Sequence, residues 1–183
     1  MKLDIKTLFI APIAILALLA GCSNAAANPG ETVGLANPWT ESDQQGVLEA
    51  TGFIMEAPKG AADVRYSYMA EGKLAQMRYV LDGAEWVYRI QSALEPTDIS
   101  GMEYEWTSKE EGTVSGRDAV YYAWSNAKPD SQTVDNVSYV QVVNWYDAVA
   151  GVMYSLSASG QDLNGMDLQV YAEDLYVPLQ GDA

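Results

Sequence analysis

Asp82-Gly83 stands between two runs, "LAQMRYVL" and "AEWVYRIQS", in which apolar and polar residues alternate. An Asp-Gly pair flanked by period-two alternation is the strongest short-range signal of a β-hairpin, because both turn residues tolerate positive φ and match the strand twist. "DVRYSYMA" precedes it, with Val64, Tyr66 and Tyr68 set against Arg65, Ser67 and Met69, and Glu71-Gly72-Lys73 reads as the turn between them. Residues 63 to 92 are therefore expected to form a three-stranded antiparallel meander.

The same period continues down the chain. "FIMEA" (53 to 57) alternates before Pro58-Lys59-Gly60. "MEYEWTS" sets Met102, Tyr104 and Trp106 against Glu103 and Glu105, and a polar turn around Glu110-Glu111-Gly112 leads to "AVYYAWS". After a polar surface loop at 126 to 136, "VSYVQVVNWYD" is the longest strand candidate, and the turn from Asp147 to Gly151 leads into "VMYSLSA". Helical signals stand at the two ends of this β-rich stretch. "WTESDQQGVLEATG" offers Thr40 or Ser42 as a cap and Gly52 as a stop; "DLNGMDLQVYAEDLYVP" places Leu163, Met166, Val170 and Leu175 on one face, with Pro178 beyond. The expected class is α+β: an antiparallel meander sheet with a short N-terminal helix and a C-terminal helix packed on one face.

The first 38 residues have a different character. A basic start with Lys2 and Lys6 precedes an apolar core from Leu8 to Ala20. Those thirteen residues would span only about 20 Å as a helix against a hydrocarbon layer of about 30 Å, and Pro12 interrupts them. The pattern is that of a secretory leader rather than a permanent span. Leu19-Ala20-Gly21-Cys22 resembles the lipobox of bacterial lipoproteins. That resemblance implies cleavage after Gly21, diacylglyceryl and fatty acyl groups on Cys22, and anchoring to the outer face of a cell membrane. Cys22 is the only cysteine in the chain, and a thiolate is the side chain suited to attack a lipid donor. Residues 23 to 38, rich in Ala, Asn, Gly and Pro, read as a flexible tether. The expected organisation is thus a signal peptide over 1–21, a lipidated tether over 22–38 and a single globular domain over 39–183.

Composition narrows the chemistry. Histidine is absent and the one thiol is assigned to the anchor, so Ser-His-Asp and Cys-His catalysis and His- or Cys-ligated zinc are excluded. The net charge is −15, and about −16 once a leader carrying Lys2, Asp4 and Lys6 is removed. Nucleic acid is a poor partner for such a surface.

Several residues remain as candidates. Glu103 and Glu105 share a face if their run is a strand, and paired acids can hydrolyse glycosides; glycosidase acids usually come from separate elements across a cleft, so a solvated strand face is the better account of them. Asp162, Asn164 and Asp167 resemble part of a calcium loop, but glycine falls at the fourth position and no glutamate stands at the twelfth, so a capped helix start explains them without metal. Five Trp and twelve Tyr against two Phe favour amphipathic rings, which serve a core or a stacking platform. Adjacent aromatics on a strand point to opposite faces, so Tyr121-Tyr122, Trp124 and Trp145-Tyr146 must place some rings outside the main core. Tyr122, Trp124, Trp145 and Tyr146 are the candidate binding residues; no catalytic and no metal residue is assigned.

Residues 140 to 175 resemble the C-terminal segment of a domain of unknown function found in extracytoplasmic lipoproteins and anti-sigma-like proteins of Gram-positive bacteria. The resemblance rests on Trp145, Gly151, Tyr154, Ser155, Leu156, Ala172, Glu173 and Leu175, and it transfers no catalytic residue. Together these observations lead us to expect a non-enzymatic, lipid-anchored binding or sensing domain at the cell envelope, without a cofactor beyond the acyl groups on Cys22. Its partners would be the membrane through the anchor and an envelope protein or glycan. A glycan-binding or glycan-hydrolysing module and a carrier for apolar ligands are the alternatives.

Overall fold

A computed structural model describes residues 37–127 and 137–178; the leader, Cys22 and most of the polar loop lie outside the described residues. Eight strands and two helices follow in the order β1 (Thr40–Ser42), α1 (Gln44–Thr51), β2 (Ala62–Met69), β3 (Leu74–Leu81), β4 (Ala84–Ser92), β5 (Ser108–Val114), β6 (Arg117–Ser125), β7 (Tyr139–Asp147), β8 (Val152–Gly160) and α2 (Leu168–Leu175). The strands form one antiparallel sheet in the order β1-β2-β3-β4-β8-β7-β6-β5. The molecule is mostly β, with a C-terminal helix on one face.

The expected meander over 63–92 forms as β2–β4, closed by Asp82 at φ 52° and Gly83 at φ 78°. The sheet as a whole is not a single meander. After β4 the chain crosses to the far edge and returns as a second four-stranded meander, so that β8 pairs with β4 in the middle. Burial explains this placement: residues 152–158 of β8 are all buried, and a strand apolar enough to be covered on both faces belongs in the interior of a sheet.

Two strand expectations are corrected. "MEYEWTS" is not a strand; β5 is instead the charged "SKEEGTV", and the turn falls at Ser115-Gly116, with φ 47° and 76°. Charged residues suit β5 because it is an edge, where an apolar strand would recruit other chains. Glu110-Glu111-Gly112 therefore lies within a strand, and Glu103 and Glu105 are exposed residues of an irregular segment rather than a carboxylate pair on one. "FIMEA" keeps its period in burial but has no ladder partner. Phe53 and Met55 are buried while Ile54 is 61% exposed, because the segment runs beneath α1, where Gln44 Nε2 donates to Met55 O at 2.9 Å.

Both helices start later than their caps suggested. Asp43, not Thr40 or Ser42, caps α1 by accepting from Gly46 N at 2.8 Å, since Thr40–Ser42 is drawn into pairing with β2. Gly52 ends that helix at φ 85°, as expected. Asp167, not Asp162 or Asn164, caps α2. The buried face of α2 is Leu168 and Ala172, while Val170 is exposed and Leu163 packs from the preceding turn.

The core lies on the sheet face beneath the helices. Trp145 stacks on Tyr154 at 5.1 Å and lies 6.2 Å from Tyr88, and Tyr176 meets Tyr154 edge-on at 5.2 Å. Trp86 packs between Tyr79 and Tyr171. One polar knot sits at its edge: Asp147, 2% exposed, accepts from the Tyr176 hydroxyl, from Val149 N and Ala150 N, and from Arg117 Nη2 at 3.3 Å.

Candidate functional site

Alternation places a different set of residues on the other face. The register there sets Gln76 opposite Arg89, Arg89 opposite Ser155, Ser155 opposite Asn144, and Asn144 opposite Val120. Hydroxyls and amides thus occupy the middle of this face, where the helical side has rings.

No helix covers this face among the described residues. Residues 93–107 cross it as a strap, held by side chains because irregular backbone has no ladder to satisfy it. Arg89 donates from Nη1 to Ile99 O at 2.9 Å and to Ser100 O, and from Nε to Gln76 Oε1 at 2.9 Å. Gln76 in turn donates to Ser67 Oγ at 3.1 Å. Burial and then the neighbouring Arg78 push the Arg89 guanidinium down, with Asp98 opposing. Gly101, at φ 65°, is required at the crossing: a Cβ there would lie 2.4 Å from Arg89 Nη1. At the two ends of the strap, Tyr146 donates its hydroxyl to Ala93 O at 3.1 Å, and Tyr104 stacks on Trp124 at 4.6 Å. Trp106 meets Tyr122 at 5.2 Å.

Between the strap and β5–β7 lies a groove of about 610 Å³, inside the range of about 300–1,000 Å³ usual for small-molecule sites. Asn144 forms part of its lining and is only 6% exposed. Its Nδ2 donates to Asp98 Oδ1 at 3.0 Å, while its Oδ1 is buried with no partner. Buried polar atoms are nearly always satisfied in folded proteins; among the described residues the Tyr79 hydroxyl and Trp145 Nε1 are likewise buried without a partner. Tyr122, Tyr146, Asp98, Glu111 and Asp118 border the same groove.

A second groove, about 860 Å³, opens at the end of the sheet beside the Asp82-Gly83 turn. Tyr104, Trp124 and Tyr139 supply rings, and Asp82, Glu85 and Asp162 supply carboxylates. Asp82 Oδ2 accepts from the Tyr171 hydroxyl at 2.8 Å, and that bond, then burial, raises the pKa of the tyrosine. Asp162 and Asp167 each accept a backbone N–H bond, from Asn164 and Gln169.

The four candidate residues separate accordingly. Tyr122 and Tyr146 border the strap groove, and Trp124 lies in the end groove under Tyr104. Trp145 is 0% exposed with its ring in the core, so it is a packing residue and offers no surface to a partner. The opposite-face argument holds at this pair: Trp145 takes the core and Tyr146 the other side. Asn144, Asp98 and Arg89 were not singled out from the sequence. An amide inside the apolar run Val142-Val143-Asn144-Trp145 is the signal that could have found the first.

The fold and these grooves define an antiparallel β-rich domain with a strapped polar face. No family model matches the chain, and no curated protein or solved structure matches it either.

Proposed function

We propose that the chain is a lipid-anchored extracytoplasmic lipoprotein that binds a small ligand at the cell envelope without turning it over, in the groove beneath the strap. The observation that carries the binding role is the groove of ligand size beneath the strap, bordered by Tyr122, Tyr146, Asn144 and Asp98. Leader, Cys22 and tether support the anchor, and the resemblance of residues 140 to 175 to extracytoplasmic lipoprotein domains fits that setting. On this reading residues 39–183 act as one α+β domain at the end of a tether of residues 22–38, with no cofactor beyond the acyl groups. The carboxylates and amide that border the strap groove, and the filled aromatic core, favour a ligand with a polar group over a wholly apolar cargo.

The full chain is produced in a bacterium that processes lipoproteins, labelled with a palmitate analogue and analysed by native mass spectrometry after extraction. Label is expected on the wild type and not on Cys22→Ser. A bound small molecule is expected on the wild type and not on Val120→Trp, which fills the groove. A wild-type chain without label refutes the anchor, and equal ligand occupancy in Val120→Trp refutes the groove.

The end groove supports a second reading, a glycan-binding or glycan-hydrolysing module, because rings beside carboxylates and amides suit sugar recognition. Retention on cell-wall glycan that is lost in Trp124→Ala, or release of reducing ends that is lost in Glu85→Gln, would favour it.

A further inference from the structure

We infer that the end of the sheet from which the tether leaves rests on the lipid surface, with Leu94 and Val149 entering the outer leaflet; this rests on the reading of Cys22 as the anchor. Among the described residues these two are the most exposed of the large apolar side chains, Leu94 wholly and Val149 at 85%. They lie on neighbouring turns. Leu94 follows the end of β4 and Val149 stands between β7 and β8, and Ala93 N donates to Gly151 O at 2.9 Å to join the two segments. The Tyr146 hydroxyl donates to Ala93 O at 3.1 Å, so both turns are held as one tip. A single exposed aliphatic residue is ordinary, whereas the two most exposed on one tip form a patch that water disfavours.

The register places the start of the folded chain at the same end. Thr40 pairs with Tyr68, Met69 with Leu74, Ser92 with Val152 and Asp147 with Val152, so β1 begins where β2, β4 and β7 finish. The Arg89 guanidinium lies 5.1 Å over the Trp39 ring, which fixes the exit. From Asn37 back to Cys22 is fifteen residues, a span of about 20 Å for a flexible chain. Such confinement gives an effective concentration in the millimolar range, at which a contact of two side chains suffices. Charge points the same way. Asp63, Asp82, Glu85 and Asp162 are exposed at the opposite end, whereas Ala148, Val149 and Ala150 carry no charge, and Glu71 and Glu95 stand with Lys73. Carboxylates resist removal from water, so the end with fewer of them is the one that meets lipid.

The full, lipidated chain is reconstituted into phosphatidylcholine vesicles carrying doxyl-labelled lipid, with an environment-sensitive fluorophore on Ala148→Cys at the tip or on Gln161→Cys at the opposite end. Cys22 is acylated on this reading, so the introduced thiol is the one that reacts. Quenching by the doxyl group is expected to be at least threefold stronger at the tip. Adding Leu94→Asp/Val149→Asp to the tip-labelled chain is expected to lower quenching to the level at the opposite end. Both substitutions fall on exposed side chains, so the chain should still float with the vesicles and keep its urea midpoint. Equal quenching at the two positions, or undiminished quenching in the double variant, would overturn the orientation while leaving the anchor in place. A wild-type chain that fails to float with the vesicles would instead overturn the anchor, and this inference with it.

Discussion

Tyr88 and Arg89 are neighbours on β4 and face opposite sides of the sheet. Tyr88 is 2% exposed in the aromatic core, and burial, then the hydroxyls of Tyr154, Tyr79 and Tyr176, drives its pKa well above the usual tyrosine value. Arg89 lies in a layer of amides and hydroxyls and holds the strap through two carbonyls. One face gains its stability from filled aromatic volume. The other is organised by hydrogen bonds to a segment with no secondary structure, and that arrangement leaves an opening at Asn144. Packing closes a surface, whereas side-chain bonds to a strap hold it at a few points and leave space between them.

This contrast is broken most directly by matched tryptophan truncations. Trp145→Ala on the aromatic face is expected to cost about 4 kcal/mol, the range for deleting a buried ring, whereas Trp124→Ala on the strapped face should cost under about half as much. Urea unfolding of the two variants measures the difference. Equal losses would mean that the strapped face is packed as densely as the core.

A smaller effect is expected at the edge of the aromatic face. Burial raises the pKa of Asp147, but the Tyr176 hydroxyl, the N–H groups of Ala150 and Val149, and Arg117 outweigh it, so its carboxyl titrates below the ordinary range. A depressed native pKa adds stability that is fully present above the unfolded value of about 3.9 and is lost as pH falls through the lower native value. Asp147→Ala should cost about 3 kcal/mol at neutral pH, because three donors and Arg117 lose their acceptor. Its stability should then fall less than that of the wild type on acidification below about pH 4. Urea midpoints at pH 7 and pH 3 test both statements; parallel acid curves would remove Asp147 as a determinant.

The strapped face is sharpened by Arg89→Met, which keeps the stem and removes the donors. A loss of about 2 kcal/mol is expected, with faster hydrogen exchange at Ser100 and Met102, whose N–H groups bond within the strap. Exchange confined to those positions, with β3 and β4 still protected, would show the strap opening as a local unit. Uniform acceleration would show that the two faces unfold together.

The local elements were largely legible. Period two gave β2–β4, β6, β7 and β8, because side-chain alternation is a property of the strand itself. The Asp-Gly turn gave the β3–β4 hairpin, and Gly52 the end of α1. The misreading at 102–107 has an instructive cause. Tyr104 and Trp106 alternate like a strand, yet Tyr104 stacks on Trp124 and Trp106 meets Tyr122 at a tilt across a sheet face, which local pattern cannot distinguish from a ladder. Glu110 and Glu111 looked like a turn because charge marks turns and sheet edges alike. Trp145 and Tyr146 could be assigned to opposite faces, but which face was the core depended on where α2 docked.

The sequence by itself determined six of the strands, most of the turns and the acidic, histidine-free chemistry, since these follow from each residue and its nearest neighbours. Only the tertiary structure decided that β8 lies against β4, that residues 93–107 cross the second face, and that Asn144 is buried with one oxygen unmatched. Those outcomes depend on which distant surfaces meet, and a periodicity of two or 3.6 residues carries no information about that.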